Sequence, residues 1–224
     1  MLTMEKHRAY FEFLEHVPEG GCFVCKAVHT GMDSYLKSYL EEGVTNEQSW
    51  GALKASQGWC ARHARQLEAK ADGLAVALFY GHLIGEALAS MESGPAGKLD
   101  RLRAVFSADK PLPCPGCLRE HESETSWSHL VAQAAAEPEA QGPMRAHLSL
   151  CVGHLRLALR FARGEALAFL RSDQEAKLRV LAAENAEFVR KTGTNGRGSE
   201  PLSPAETDSW KRALRAWYGL HWGG

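Results

Sequence analysis

Apolar residues recur every three or four positions along most of the chain, the spacing of one face of an α-helix. The clearest stretch lies between residues 25 and 42, where the inner positions are Val28, Met32, Tyr35, Leu36, Tyr39 and Leu40. Nowhere does a competing alternation of apolar and polar residues predict a half-buried strand. The sequence therefore predicts an all-α fold.

Glycine, proline and polar clusters divide this pattern into successive helices. The predicted helices cover, approximately, residues 4–16, 25–42, 45–56, 61–91, 118–136, 144–148 and 152–190, and a last helix begins at Ser203. Ser203-Pro204-Ala205-Glu206 combines an N-cap serine, proline at the first helical position and an acid three residues after the cap. This combination predicts a capping box at the start of the last helix.

The breaks predict three segments. Residues 1–92 form a first helical module, residues 93–191 a bridging helix and a second module, and residues 192–224 a linker and a C-terminal helix. The bridging helix has an apolar face made of Leu99, Leu102, Val105 and Phe106. In the last segment, the tryptophans predict a face that docks onto the modules, with a protein-binding surface as the alternative; they are Trp210, Trp217 and Trp222.

Charge and composition narrow the class of protein. The 224 residues carry a formal net charge of −1, and acidic and basic residues are mixed along the chain, so no basic stripe indicates nucleic acid or a membrane surface. Charges at Glu5, Lys6 and Arg8 interrupt the N-terminal region, unlike a secretory signal. The most apolar run, residues 74–88, is shorter than a membrane span. We expect a cytoplasmic protein that binds neither nucleic acid nor membrane.

All six cysteines fall into a motif that occurs twice. Cys22-Phe23-Val24-Cys25 is followed by Cys60-Ala61-Arg62-His63, and Cys114-Pro115-Gly116-Cys117 is followed by Cys151-Val152-Gly153-His154. When the two copies are aligned, further positions match, namely His29 with His121, Ser34 with Ser126, Tyr35 with Trp127 and, after a one-residue gap, Gly73 with Gly164. This internal similarity predicts two tandem pseudo-symmetric modules of one fold.

Pairs of cysteine and histidine at this spacing are typical of metal sites. Within each copy the motif supplies three thiolates and one imidazole, so we predict one site per module; the ligands are Cys22, Cys25, Cys60 and His63 in the first and Cys114, Cys117, Cys151 and His154 in the second. Pairing of ligands across the modules is an alternative that the sequence leaves open. Helix starts favour thiolates, because the helix dipole and the free amide groups there lower the pKa of a cysteine.

Zinc is the predicted metal, with two ions per chain, because a histidine ligand is routine for zinc. Iron–sulfur clusters are the alternative cofactor, and they would imply electron transfer or redox sensing. Metal-free redox thiols of the thioredoxin type are less consistent with the sequence, because they leave Cys60, His63, Cys151 and His154 unexplained.

His29 and His121 extend the repeated pattern. Each lies four residues after the second cysteine of its pair, one helical turn along the same face. Each is a possible additional ligand or a hydrogen-bond partner of a ligand. A histidine that replaced a cysteine would open the coordination sphere and permit a zinc enzyme such as a hydrolase. A histidine that recurs by chance is an equally weighted alternative.

The chain resembles an uncharacterised family of bacterial and archaeal domains of unknown function. The resemblance rests on the duplicated Cys-x-x-Cys and Trp-Cys-x-Arg-His pattern and on a C-terminal Ser-Trp-Lys-Arg-Ala-Leu helix; the residues are Cys22, Cys25, Trp59, Cys60, Arg62, His63, Cys114, Cys117, Cys151, His154, Ser209, Trp210, Arg212 and Leu214. The second copy departs from the pattern at Val152-Gly153. The resemblance implies architecture and no activity.

The function expected from the sequence is that of a zinc-binding accessory or interaction protein without enzymatic activity. A closed sphere of four protein ligands is typical of structural zinc. No residue set predicts catalysis, and a protein partner is possible but not identified by any motif.

Overall fold

The computed structural model describes residues 8–43, 46–70, 73–93, 112–193 and 200–219. These residues form eleven α-helices and one 3-10 turn, Val17–Glu19; the helices are α1 (Arg8–His16), α2 (Phe23–Glu42), α3 (Glu47–Ala55), α4 (Ala61–Glu68), α5 (Gly73–Ser93), α6 (Pro115–Ala134), α7 (Pro138–His147), α8 (Val152–Phe161), α9 (Gly164–Thr192), α10 (Pro204–Thr207) and α11 (Ser209–Tyr218). The described ranges contain no β-strand, only an isolated bridge between Gly21 and Leu148. The all-α prediction is confirmed.

Two helices predicted as continuous are each divided in the structure. The helix predicted over residues 61–91 is α4 and α5, and the one predicted over 152–190 is α8 and α9. The second helix of each pair begins at a glycine, Gly73 or Gly164, the two positions that match in the repeat alignment. Gly164 has a φ of 52°, a backbone conformation that glycine adopts without steric cost. The turn there redirects the chain before the longest helix.

The residues group into two compact units that differ from the three predicted segments. Unit A contains Met1–His29 and Ser123–Gly224, and unit B contains Thr30–Glu122. Helix α2 begins in unit A and ends in unit B, whereas α6 begins in unit B and ends in unit A. The unit boundaries therefore lie inside helices that the apolar pattern predicts as continuous. The bridging helix predicted at residues 99–106 and most of the predicted linker lie outside the described residues.

The core of unit A surrounds the start of α2. Phe23 meets Phe13 edge to face at a ring-centroid distance of 4.9 Å and Trp127 at 5.3 Å. Further fully buried side chains come from the 3-10 turn, α7, α9 and the turn after α7; they are Val17, Met144, Leu148 and Leu170. Because Phe23 directly follows Cys22, this packing fixes the start of the helix that carries the first cysteine pair.

The core of unit B is an aromatic cluster built on Tyr39. Trp59 contacts Tyr39 edge to face at 4.7 Å, and Phe79 lies 5.6 Å from the same ring. The Tyr39 hydroxyl donates a hydrogen bond to the carbonyl oxygen of Ser49 at 2.7 Å, which satisfies its polar end. The cluster anchors Trp59, the residue immediately before Cys60.

The C-terminal helices contain one confirmed local prediction and one wrong one. Ser203 and Glu206 form the predicted capping box, with backbone-to-side-chain distances of 2.7 and 3.2 Å. The predicted tryptophan docking face is wrong for Trp210 and Trp217, which are 44% and 59% exposed. Ser209, fully buried, faces inward instead, because smaller side chains allow α11 to approach α9 closely. Trp222 lies outside the described residues.

None of the described helices is long and apolar enough to cross a membrane.

A hydrogen bond between α1 and α7 generates a stability prediction. The buried Tyr10 hydroxyl donates to Oε1 of Glu139 at 2.9 Å. Tyr10→Phe keeps the ring but removes the donor, so we expect the free energy of unfolding in urea to fall by about 1 kcal/mol. In a double-mutant cycle, Glu139→Ala should add little to Tyr10→Phe. Fully additive effects would contradict the hydrogen bond.

Candidate metal centres

The eight predicted ligands lie in two groups of four, each formed by three cysteines and one histidine. Site A consists of Cys22, Cys25, Cys151 and His154, and site B consists of Cys60, His63, Cys114 and Cys117. Within each group, all four sulfur and nitrogen atoms lie within 4.8 Å of one another. All six cysteines are free of disulfide bonds. Each group could hold a metal ion, and each lies entirely within one unit.

The predicted pairing of ligands within each repeat is wrong. Each Cys-x-x-Cys turn instead joins the Cys-x-x-His turn of the other repeat. The reason lies in helix length, because α2 and α6, each 20 residues long, carry the chain about 30 Å away from the cysteine pair at their start. The short helices that follow, with 9 residues in α3 and 10 in α7, rise only about 15 Å. The short helices are therefore too short to bring the chain back to the cysteine pair at the start of the preceding long helix.

Every ligand pair is held at the start of a helix. Cys22 and Cys114 immediately precede α2 and α6, and Cys25 and Cys117 lie in the first turns of those helices. Cys60 and Cys151 are the N-cap residues of α4 and α8, with nearly identical backbone angles of −65° and 159° against −67° and 158°. The unpaired amide groups of these helix starts surround the sulfur atoms with partial positive charge.

In site A, Nδ1 of His154 is the nitrogen that faces the sulfur atoms. Its distances to Sγ of Cys22, Cys25 and Cys151 are 3.4, 3.3 and 3.2 Å. Sγ of Cys25 and Sγ of Cys151 lie 3.7 Å apart. Every one of these residues is buried. Four donor atoms at such even spacing leave room for one small ion at their centre.

Site B has the same arrangement of atoms. Nδ1 of His63 lies 3.3 Å from Sγ of both Cys60 and Cys114 and 3.6 Å from Sγ of Cys117. Cys117 lies 3.4 Å from Cys114 and 3.7 Å from Cys60, measured between sulfur atoms. The amide of Cys117 points to Sγ of Cys114 at 3.4 Å, which stabilises the thiolate. His63 itself is fully buried against Trp59, at a ring-centroid distance of 6.3 Å.

A carboxylate lies behind each histidine, on the side away from the sulfur atoms. Nε2 of His63 lies 3.8 Å from Glu120, and Nε2 of His154 lies 3.5 Å from Glu124. Glu120 is also paired with Arg62. A carboxylate in this position favours the tautomer with the proton on Nε2 and leaves Nδ1 free to bind metal. Sequence reasoning missed both glutamates, because nothing in their spacing separates them from other acids of α6.

The predicted role of His29 and His121 finds no support in their placement. Both side chains are exposed, and neither belongs to the two ligand groups. The partners behind the ligand histidines are the glutamates instead. A helical turn after the cysteine pair therefore carries these two residues outward and away from the sulfur atoms.

The N-cap cysteine of each site has a lowered pKa. Hydrogen bonds from Cys22 and Cys25 lower the pKa of Cys151 far below that of a free thiol, and they outweigh the opposing effect of burial. At Cys60, burial has the largest effect and raises the pKa, but the backbone of His63 and hydrogen bonds from Cys114 and Cys117 together produce a net lowering.

Hydrogen bonds and burial raise the pKa of one other thiol in each site. Hydrogen bonds to Cys151 and Cys25, followed by burial, raise the pKa of Cys22 well above its ordinary value. Burial and hydrogen bonds to Cys114 and Cys60 raise the pKa of Cys117 to about 12. A cation bound at either site would offset the negative charge of thiolates held this close together.

Two glycines touch the ligand atoms directly. A Cβ atom at Gly116, inside the second cysteine pair, would lie 2.7 Å from Cγ of His63. At Gly219, which has a φ of 76° and ends α11, a Cβ atom would lie 2.5 Å from Sγ of Cys25 and 3.4 Å from Sγ of Cys151. Gly219 is buried and forms part of the cover of site A, so the C-terminal helix contributes to that site.

Comparisons with known proteins give one partial similarity. No family model matches the chain, and no solved structure matches it. An uncharacterized 23.9 kDa protein in the xynA 3' region of Caldicellulosiruptor sp. (strain Rt8B.4) is 35% identical over 71 residues. The aligned stretch spans 32% of this chain and 34% of that relative. The similarity is consistent with an uncharacterised family and does not test the duplicated ligand motif.

Double cysteine variants distinguish pairing across the repeats from pairing within them. Cys25→Ser with Cys151→Ser removes two ligands from site A alone, so the protein should still bind one cobalt(II) ion per chain, measured by its visible absorbance. Cys25→Ser with Cys60→Ser damages both sites and should bind none tightly. The opposite pattern, with one ion in the second variant and none in the first, is expected for pairing within the repeats.

Glycine substitutions test the close contacts at each site separately. We expect Gly116→Ala to weaken cobalt(II) binding at site B and Gly219→Ala to weaken it at site A, each by roughly 10- to 100-fold, because the added methyl group displaces a ligand. Gly153→Ala is the matched control, since its Cβ atom would meet nothing within 4 Å although it lies between Cys151 and His154. An equal loss in all three variants would contradict the contact geometry.

Proposed function

We propose that this chain is a zinc-binding protein with two structural sites, one in each unit. The observation that carries the proposal is the gathering of eight ligands into two groups of three thiols and one imidazole. Metal binding then stabilises each unit by joining two helix starts that are far apart in sequence. The closed coordination sphere also supports our proposal of a non-enzymatic accessory or interaction role.

The spacing of the ligand atoms supports zinc. With Zn–S bonds of about 2.3 Å and Zn–N bonds of about 2.0–2.1 Å, a tetrahedral ion places its sulfur ligands roughly 3.8 Å apart and sulfur and nitrogen roughly 3.5 Å apart. The sulfur atoms quoted above for the two sites are separated by 3.4 to 3.7 Å and the sulfur–nitrogen pairs by 3.2 to 3.6 Å. Small adjustments of side-chain angles would bring each group onto the ideal geometry.

The same spacing is unfavourable for a four-iron cluster. In such a cluster each protein ligand binds a different iron atom at a corner of the cube, so the ligand atoms lie farther apart than those that share one ion. Here all four donor atoms of each site lie within 4.8 Å of one another. A histidine in each site also favours zinc over a cluster held by cysteines alone.

A structural role follows from the number of protein ligands. Catalytic zinc sites keep one position for water or substrate, whereas four protein ligands complete the tetrahedral sphere. His29 and His121 are exposed and offer no alternative ligand that would open either site. Three thiolates, a neutral imidazole and Zn²⁺ give each centre a net charge of −1. In site B the Arg62–Glu120 pair lies beside the ligand histidine.

An interaction role is supported by the exposed aromatic side chains of α11. Trp210 and Trp217 lie two turns apart on this helix and are 44% and 59% exposed, and Tyr218 is 52% exposed. Tryptophan and tyrosine contribute strongly to protein interfaces, because their large rings lose little conformational entropy on binding. We propose this surface as the contact for a protein partner, in a cytoplasm whose reducing conditions suit six unpaired cysteines.

Metal content of the native protein tests the zinc proposal. After purification without oxygen, we expect about two zinc ions per chain by elemental analysis and no visible colour. The Cys25→Ser/Cys151→Ser variant should contain about one, because site B is unchanged. Brown protein that contains iron and acid-labile sulfide would contradict zinc and indicate clusters.

A further inference from the structure

A cavity of about 560 Å³ lies in unit A beside site A. Helices α9 and α11 form its sides, and the turn that precedes α2 closes one end, where Cys22 and Gly219 reach its wall. This volume is in the range of pockets that bind small molecules. Neither metal coordination nor the fold of site A requires such a space.

Two stripes of side chains, one on α9 and one on α11, line the cavity. Each stripe has the spacing i, i+3, i+4 and i+7, which places its members on one face of a helix. On α9 the stripe consists of Gln174, Lys177, Leu178 and Leu181, and on α11 it consists of Arg212, Arg215, Ala216 and Gly219. The leucine and alanine side chains contribute apolar surface to the cavity, and the lysine and arginine side chains contribute basic groups.

The cavity begins where the polar contacts between α9 and the C-terminal helices end. Lys191 pairs with Glu206 at 2.8 Å. Two turns closer to the N-terminus of α9, Glu184 pairs with Arg212, also at 2.8 Å. One turn beyond Arg212 the small residue Ala216 replaces a bridging side chain, and the helices leave a gap. The ion pairs thus connect α9 to the C-terminal helices at one end of the cavity, and no such pair among the described residues closes the gap beside Ala216.

Most polar groups around the cavity already have partners. Lys177 donates to the carbonyl oxygens of Met144 and Leu148 and to Asp173, at 2.7 to 2.9 Å. Buried Gln174 accepts from the amide of Leu150 at 2.8 Å and donates to the carbonyl of Leu148 at 2.9 Å. Lys26 is paired with Glu19 at 3.2 Å. These contacts fix the backbone before Cys151 and leave the groups little capacity for a ligand.

Arg215 differs from the other basic residues of the cavity. It is exposed at the rim and forms no ion pair with any residue of the described ranges. A planar guanidinium group can donate two parallel hydrogen bonds to a carboxylate. The apolar surface of Leu178, Leu181 and Ala216 next to it suits an alkyl or aryl group.

We propose that this cavity binds a small organic carboxylate with an apolar body. The carboxylate pairs with Arg215, and the body packs between the two stripes against Leu178, Leu181 and Ala216. The ligand then lies against the turn that carries Cys22. The proposal does not depend on which metal site A holds, because the walls that bind the ligand are those of α9 and α11.

The test uses the metal-loaded full chain and two probes with the same naphthyl body, anionic 2-naphthoate and neutral 2-naphthamide. In a titration followed by two-dimensional amide NMR, 2-naphthoate should bind at one site, and the amide of Gly219 should be among the most strongly shifted. 2-Naphthamide should bind roughly tenfold more weakly, because it lacks the charge-assisted pair with Arg215. No saturable binding of 2-naphthoate at millimolar concentration would overturn the proposal.

Three variants locate the binding groups. Arg215→Gln should weaken 2-naphthoate roughly tenfold and leave 2-naphthamide unchanged, whereas Ala216→Phe, which fills the cavity, should weaken both. Arg160→Gln is the control, since it removes the same charge from an exposed position on α8 outside the cavity. Equal weakening by Arg160→Gln and Arg215→Gln would indicate general attraction of an anion to the protein and would overturn the assigned site.

Discussion

The structure depends on contacts between ligand-bearing turns that are distant in sequence. Site A joins the turn at Cys22 to the turn at His154, 132 positions apart, and site B joins His63 to Cys114, 51 positions apart. Closing such loops costs conformational entropy that a small helical core recovers poorly by itself. A metal ion bound at each group, as we propose, would supply a strong and directional interaction at these points and would contribute to the folding of each unit.

The surroundings of each site are built to hold its ligands in place. Glu120 and Glu124 lie beside Nε2 of the two histidines, Gln174 and Lys177 fix the chain before Cys151, and Gly116 and Gly219 allow close approach to the sulfur and imidazole atoms. These contacts connect the ligand turns to α6, α9 and α11. Helix α11 carries the exposed tryptophans, forms one wall of the cavity and ends at Gly219 beside site A. The proposed partner surface, the proposed carboxylate site and the candidate metal site therefore all involve this helix.

Local features could be predicted from the sequence, and long-range ones could not. Paired spacing identified all eight residues that the structure gathers into the two Cys/His groups, and Ser203-Pro204-Ala205-Glu206 identified a helix start, because both depend on neighbours in the chain. The pairing of the Cys-x-x-Cys and Cys-x-x-His turns depends on the path of the chain after two 20-residue helices. The spacing of residues in the sequence does not specify that path. For the same reason the inward face of α11 was not predicted. Ser209 is buried and Trp210 and Trp217 are exposed, although serine is usually exposed and tryptophan is usually more buried than serine.

The most direct test of the central claim is cadmium-113 NMR of the protein with cadmium in place of the native metal. Scalar coupling through the metal–sulfur bond shows which cysteine β-protons belong to each ion. The structure predicts one cadmium resonance that correlates with Cys22, Cys25 and Cys151 and a second that correlates with Cys60, Cys114 and Cys117. A resonance that correlates with Cys22, Cys25 and Cys60 together would contradict the pairing across repeats and the two units built on it.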